Sequence, residues 1–164
     1  MRRAATALVG AIALAGFASC IDPVHQRNVE DLGGEQDGIR PGPRHRAGQP
    51  CLVCHGGLGP GEPDFSFGGT VYETAGSTAP AANVVVTIKD AKGREISRTT
   101  NDVGNFYVRR EELDPTFPAT VKLARGKEGE EMASSIGGTG SCADCHVGAG
   151  SRSKMPRVYM KRSP

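Results

Sequence analysis

Hydrophobic and polar positions divide this chain of 164 residues into unlike stretches. From Ala4 to Ala18 the run is Ala, Leu, Val, Ile and Gly with a lone Thr6, a lone Phe17 and no charge. Residues 21 to 50 are polar and broken by Gly33, Gly34, Gly38, Pro41, Gly42, Pro43 and Gly48, with no helical or strand period. From Phe65 to Leu123 short β-branched or aromatic runs alternate with Gly/Asp/Asn turns, which predicts an all-β sandwich. The predicted strands begin with Phe65–Phe67 and Thr70–Tyr72, then Val84–Ile88 before the turn Asp90–Gly93. Glu95–Thr100 and Phe106–Val108 follow around the turn Asn101–Asn105, and Ala119–Leu123 closes the series. Val84, Val86 and Ile88 fall on one face by period two, with Thr87 and Lys89 on the other. After Leu123 the chain is polar and glycine-rich through Ser141, and the acidic run Glu128, Glu130, Glu131 reads as a solvated loop.

The first stretch, preceded by Arg2 and Arg3, has the layout of a secretory signal and is shorter than the ~20 residues of a membrane span. It ends Phe17-Ala18-Ser19-Cys20, which resembles the lipobox of bacterial lipoproteins, with Phe17 where that family usually has Leu. The resemblance implies cleavage before Cys20, lipidation of its thiol, and export to the bacterial cell envelope as a lipid-anchored protein. The polar stretch behind it then reads as a flexible, disordered tether. Its basic residues Arg40, Arg44 and Arg46 read as solvated.

The stretch from Gly69 to Val108 resembles the carboxypeptidase regulatory-like, prealbumin-type β-sandwich. The match lies in Gly69-Thr70-Val71, in Pro80 before Val84–Ile88, and in Thr100 to Phe106 as the turn into a strand. In that family the module is a structural or binding accessory without catalytic residues. Asp102 with Asn101 and Asn105 suits a calcium loop less well than a tight Asx turn.

Composition sharpens the picture. There is no Trp, aromatic residues make up 5%, and Gly (23) and Pro (11) are abundant, so the chain is poor in material for a core. A formal net charge of +2 does not suggest a nucleic-acid partner.

Two motifs change the reading most. Cys51-Leu52-Val53-Cys54-His55 and Cys142-Ala143-Asp144-Cys145-His146 are each C-x-x-C-H, the attachment pattern of c-type haem. Two cysteines three apart put both sulfurs on one helical turn, where they can add to the two vinyl groups of a porphyrin. The next histidine then lies beneath the ring as the proximal iron ligand. A four-thiolate zinc site is a poorer match, because the pairs are 87 residues apart and both histidines go unexplained. Two disulfides or a redox dithiol are a further alternative. The haem reading spends Cys51, Cys54, Cys142 and Cys145 on thioethers and leaves Cys20, the odd fifth cysteine, for lipid. Two porphyrins also supply apolar surface that the chain lacks.

The candidates for the second axial ligands are His25, His45, Met132, Met155 and Met160, of which His45 and Met155 are preferred. His45, six residues before Cys51, is placed awkwardly for its own haem and suits the other. Met155 lies nine beyond His146 and is stiffened by Pro156. The basic residues Arg152, Lys154, Arg157, Lys161 and Arg162 form a tail suited to an acidic redox partner, or simply to solvent.

The expectation is therefore a mainly β protein, a small antiparallel sandwich flanked by loop-rich, short-helical haem-binding segments behind a disordered N-terminal tether. It divides into signal peptide (1–19), lipidated Cys20 and tether (20–48), first haem segment (49–64), sandwich (65–124) and second haem segment with basic tail (125–164). The chain resembles a dihaem c-type cytochrome lipoprotein, which implies one-electron transfer to a redox protein partner, with the membrane reached through lipid. The alternatives are a haem enzyme, peroxidase-like or a small-oxide reductase, with one five-coordinate iron, and a surface binding module with disulfides.

Overall fold

The computed structural model describes residues 22–35, 37–147 and 155–161. The signal stretch, Cys20, and the tail residues Arg152, Lys154 and Arg162 lie outside the described residues. The described chain is mainly β. Helix α1 spans Pro23–Asp31 and α2 spans Cys51–His55. Strands follow at Phe65–Thr70 (β1), Tyr72–Thr74 (β2), Val85–Lys89 (β3), Glu95–Thr99 (β4), Asn105–Arg109 (β5), Thr120–Arg125 (β6), Glu128–Glu131 (β7) and Tyr159–Lys161 (β8). A single 3-10 turn occupies Cys142–Asp144.

The larger layer is an antiparallel sheet of order β4-β3-β6-β7, and the smaller is the antiparallel ribbon β1–β5. A short parallel pair, β2–β8, closes one end. Period two holds as expected: Val84, Val86 and Ile88 are fully buried while Val85 and Lys89 face outward. They meet Phe67, Phe106 and Val108 of the ribbon and Val121 and Leu123 of β6 in one core. Each such side chain contributes about 1.5–3 kcal/mol when fully buried, so a core this short of aromatics rests on its aliphatic alternation.

One irregularity sets up the rest. In β1, Phe65 pairs with Arg109 and Phe67 with Val108, so Ser66 is an extra residue and the strand carries a bulge. The bulge breaks the alternation. Phe67 turns into the core, whereas Phe65 turns to the outer face of the ribbon and stacks on Tyr107 at 4.5 Å. The ribbon thus presents two apolar faces, one toward the core and one away from it.

Three expectations need correction. The stretch read as a disordered tether is structured from Asp22 onward. Asp22 caps α1 by accepting from the Val24 and His25 N–H groups, with Pro23 at the first helical position. Arg46 then grips the far end of that helix, donating to the Leu32 and Gly33 carbonyls, Glu35 and Gln49. Those bonds outweigh the roughly 1–2 kcal/mol of placing Arg46 at a left-handed φ of 52°. Arg44 pairs with Asp102, so neither arginine is merely solvated; Arg40 is exposed. The acidic run Glu128–Glu131 is strand β7, paired to β6 through its backbone with Lys122 bridging Glu131 at 3.2 Å. Finally, the tail residues Arg157 and Lys161 are engaged. Arg157 lies over the Tyr72 ring at 5.1 Å and donates to the Ser77 carbonyl, and Lys161 pairs with Glu128 at 2.7 Å.

Candidate functional site

Each C-x-x-C-H motif forms a short turn against β1, and each borders its own cavity. The first cavity, about 470 Å³, lies on the outer face of the ribbon, bordered by Cys51, Cys54, His55, Phe65 and Tyr107. Val29, Leu32, Glu35 and the segment from Pro41 to Pro50 cover it. The second, about 510 Å³, is bordered by Cys142, Cys145 and His146 and reaches the core residues Phe106, Val121 and Leu123. Both volumes fall within the ~300–1,000 Å³ of cofactor pockets.

The histidines are held alike. His55 Nδ1 lies 3.0 Å from the Pro63 carbonyl, and His146 Nδ1 lies 2.7 Å from the Pro156 carbonyl. A carbonyl can only accept, so each Nδ1 is the donor, which in a neutral imidazole leaves the lone pair on Nε2. Metal-binding histidines are tied down in this way, by a second nitrogen that donates to the protein. His55 is fixed further by its two faces. Phe65 stacks on one at 4.3 Å and 10°. The backbone of Gly61 lies against the other, so closely that a β-carbon there would meet the ring at 2.8 Å.

Opposite His55 stands His45, its ring centre 5.9 Å away and its plane tilted by 59°. Two imidazoles sharing one metal, with each nitrogen roughly 2 Å from it and each ring centre about 1 Å further back, have centres about 6 Å apart. The pair therefore has the separation of two axial ligands. His45 was expected to suit the other site, and the structure brings it to its own. Strand β5 fixes its backbone, because Asn105 Nδ2 donates to the His45 carbonyl at 3.0 Å. His45 Nδ1 is buried without a hydrogen bond and faces Glu35 Oε1 at 3.5 Å. The Arg46 guanidinium holds the Glu35 carboxyl below its usual range against the opposing pull of burial, so that oxygen is anionic at neutral pH.

Two methionine thioethers border the second cavity. Met155 borders it, next to the Pro156 that stands behind His146, and Met132 borders it from the end of β7. Met160 is a core residue, 1% exposed. His25 lies on α1 with its Nε2 shielded and without a hydrogen-bond partner.

Burial pushes the Cys51 thiol up to about 11. Burial and then the neighbouring Cys51, Asp144 and Cys145 push Cys142 up to about 12. Among the described residues no three His, Cys, Asp or Glu side chains are grouped so as to hold a metal ion. Cys51, Cys54 and Cys142 form no disulfide. Asn101 Oδ1 accepts from the Val103 and Asn105 N–H groups, an Asx turn, while Asp102 is spent on Arg44.

Sequence reasoning missed several partners of the motif residues: Pro63, Glu35, Phe106, and the glycine pair Gly68-Gly69 in β1. An adjacent glycine pair inside a strand is the one signal that was available, since it marks close approach by other groups. No protein-family model, no curated protein and no solved structure matches the chain.

Proposed function

We propose that this chain is a dihaem c-type cytochrome, exported and lipid-anchored through Cys20, that carries single electrons. The observation that carries the reading is the shared posture of His55 and His146. Each follows a C-x-x-C turn, each borders an apolar cavity, and each fixes Nδ1 on a proline carbonyl so that Nε2 is left for iron. A bound haem supplies reversible one-electron chemistry at its iron, with a potential set by the axial ligands. Cys51 and Cys54, and likewise Cys142 and Cys145, would hold the porphyrins as thioethers. His45 would complete a bis-histidine site in the first cavity, and a methionine would serve the second. Phe65, Tyr107, Val121 and Leu123 keep water from the sites. The sandwich is the frame that holds them.

Intact-mass measurement of the mature protein, made with haem-maturation machinery, tests this. The expected mass includes two porphyrins and the acyl groups on Cys20. A colourless protein of unmodified mass overturns the proposal. A second reading, a haem enzyme at the second site, has one observation in its favour: among the described residues bordering that cavity, His146 is the one histidine. Carbon monoxide binding to half the haem would favour it.

A further inference from the structure

The two motifs meet on one strand. A β-carbon placed on Gly68 would lie 3.4 Å from Cys51 Sγ, and one on Gly69 would lie 2.8 Å from Cys142 Sγ. Successive residues of a strand point to opposite faces, so the first thiol of each motif sits on its own side of β1 at adjacent positions. Neighbouring β-carbons are about 5.5 Å apart, which confines the two sulfurs to within about 12 Å of each other. Strand β5 repeats the arrangement. Tyr107 borders the first cavity, and Phe106, 3% exposed, borders both. The Phe106 ring is on the Cys142 side, where its Cε1 would touch a β-carbon on Gly69 at 3.3 Å.

Resting on the dihaem reading, we propose that the β1–β5 ribbon holds the two haems as an electrostatically coupled pair, one on each face, so that electrons cross the sheet past Phe106. In each crossing one electron leaves a ferrous iron on one face and reduces a ferric iron on the other, with no proton or bond exchanged. A one-electron donor protein replenishes the first iron, and a one-electron acceptor protein empties the second. Gly68 and Gly69 are the residues that allow this, because a β-carbon on Gly69 would displace Cys142 and one on Gly68 would press against Cys51. The irons would lie farther apart than the sulfurs, and at about 20 Å with an effective dielectric constant of about 20 one unit of charge changes the neighbour's reduction equilibrium about fourfold.

The test is a potentiometric titration of the full-length holoprotein beside two variants, Cys51→Ser/Cys54→Ser and Cys142→Ser/Cys145→Ser, each carrying one porphyrin by mass. In the dihaem protein the first electron added should make the second about fourfold harder to add than the sum of the two single-site curves predicts. Electron paramagnetic resonance of the unmutated protein gives a readout independent of variant folding. Its fully oxidised spectrum should be broadened by spin–spin interaction and should sharpen at half reduction. A titration equal to the sum of the two single-site curves, or an oxidised spectrum without broadening, overturns the coupling alone. A protein without two porphyrins overturns the dihaem reading and the coupling together.

Discussion

At the scale of single residues, His45 concentrates most of what distinguishes the first site from the second. It reaches its place through a chain of local contacts: Asn105 holds its carbonyl, Arg46 ties the next turn to α1, and Glu35 stands behind its ring. Beside a haem iron held by His45, as proposed, the Glu35 carboxylate would favour the ferric state and lower the potential. Replacing His45 by Ala leaves His55 fully supported by Pro63, Phe65 and Gly61, so the porphyrin should still attach. The expected outcome is two porphyrins by mass, a high-spin signal from one of them, and a midpoint for that site raised by on the order of 0.1 V. Carbon monoxide should bind the variant at one equivalent more than the parent. An unchanged low-spin spectrum would remove His45 from the iron. The distance that made His45 awkward in sequence, six residues before Cys51, is closed by the covering loop, and no periodicity in the chain announces that loop.

Among the elements, β1 is the one that was legible as a strand and illegible as a platform. Phe65–Phe67 and Thr70–Tyr72 read as separate runs, whereas one strand continues from Phe65 through the glycine pair to Thr70, and the bulge at Ser66, which turns Phe65 toward His55, leaves no trace in an apolar-polar pattern. Strand β7 was missed for a different reason. Its Glu-Gly-Glu-Glu side chains are charged, and it is a strand only because β6 offers it a backbone edge. Helix α1 did carry a sign, Asp22 before Pro23, which was outvoted by the polar composition around it. The two glycines of β1 allow a graded test. On Gly69 a β-carbon would meet Cys142 Cβ at 2.7 Å and Sγ at 2.8 Å, closer than such contacts occur, whereas on Gly68 the nearest contact, Cys51 Cβ, is at 3.0 Å. Gly69→Ala should therefore reduce occupancy of the second motif strongly and leave the first near full. Gly68→Ala should cost the first motif a smaller fraction. Peptide mapping of haem-bearing fragments measures both, and equal loss at both motifs in either variant would mean that the glycines serve the fold generally.

For the molecule as a whole, the two cavities are not equivalent parts of the structure. The first lies outside the ribbon, closed by Val29, Leu32, Glu35, the segment from Pro41 to Pro50 and the loop through Pro63, and the core does not depend on it. The second extends the sandwich interior, with Phe106, Val121 and Leu123 as its floor. A chain with 5% aromatic residues has little to spare for that end of its core, and a porphyrin there would complete it. Filling the second site should thus stabilise the fold more than filling the first. The single-site variants allow the comparison directly. Cys142→Ser/Cys145→Ser should melt about 5–10 °C below Cys51→Ser/Cys54→Ser, since water then meets apolar side chains worth about 1.5–3 kcal/mol each when covered. Thermal unfolding followed by far-ultraviolet circular dichroism reads the sheet itself and is blind to haem colour. If the order of melting were reversed, the outer cavity and its covering segment would be the true keystone, and the sandwich would be an independent domain rather than a frame finished by its cofactor.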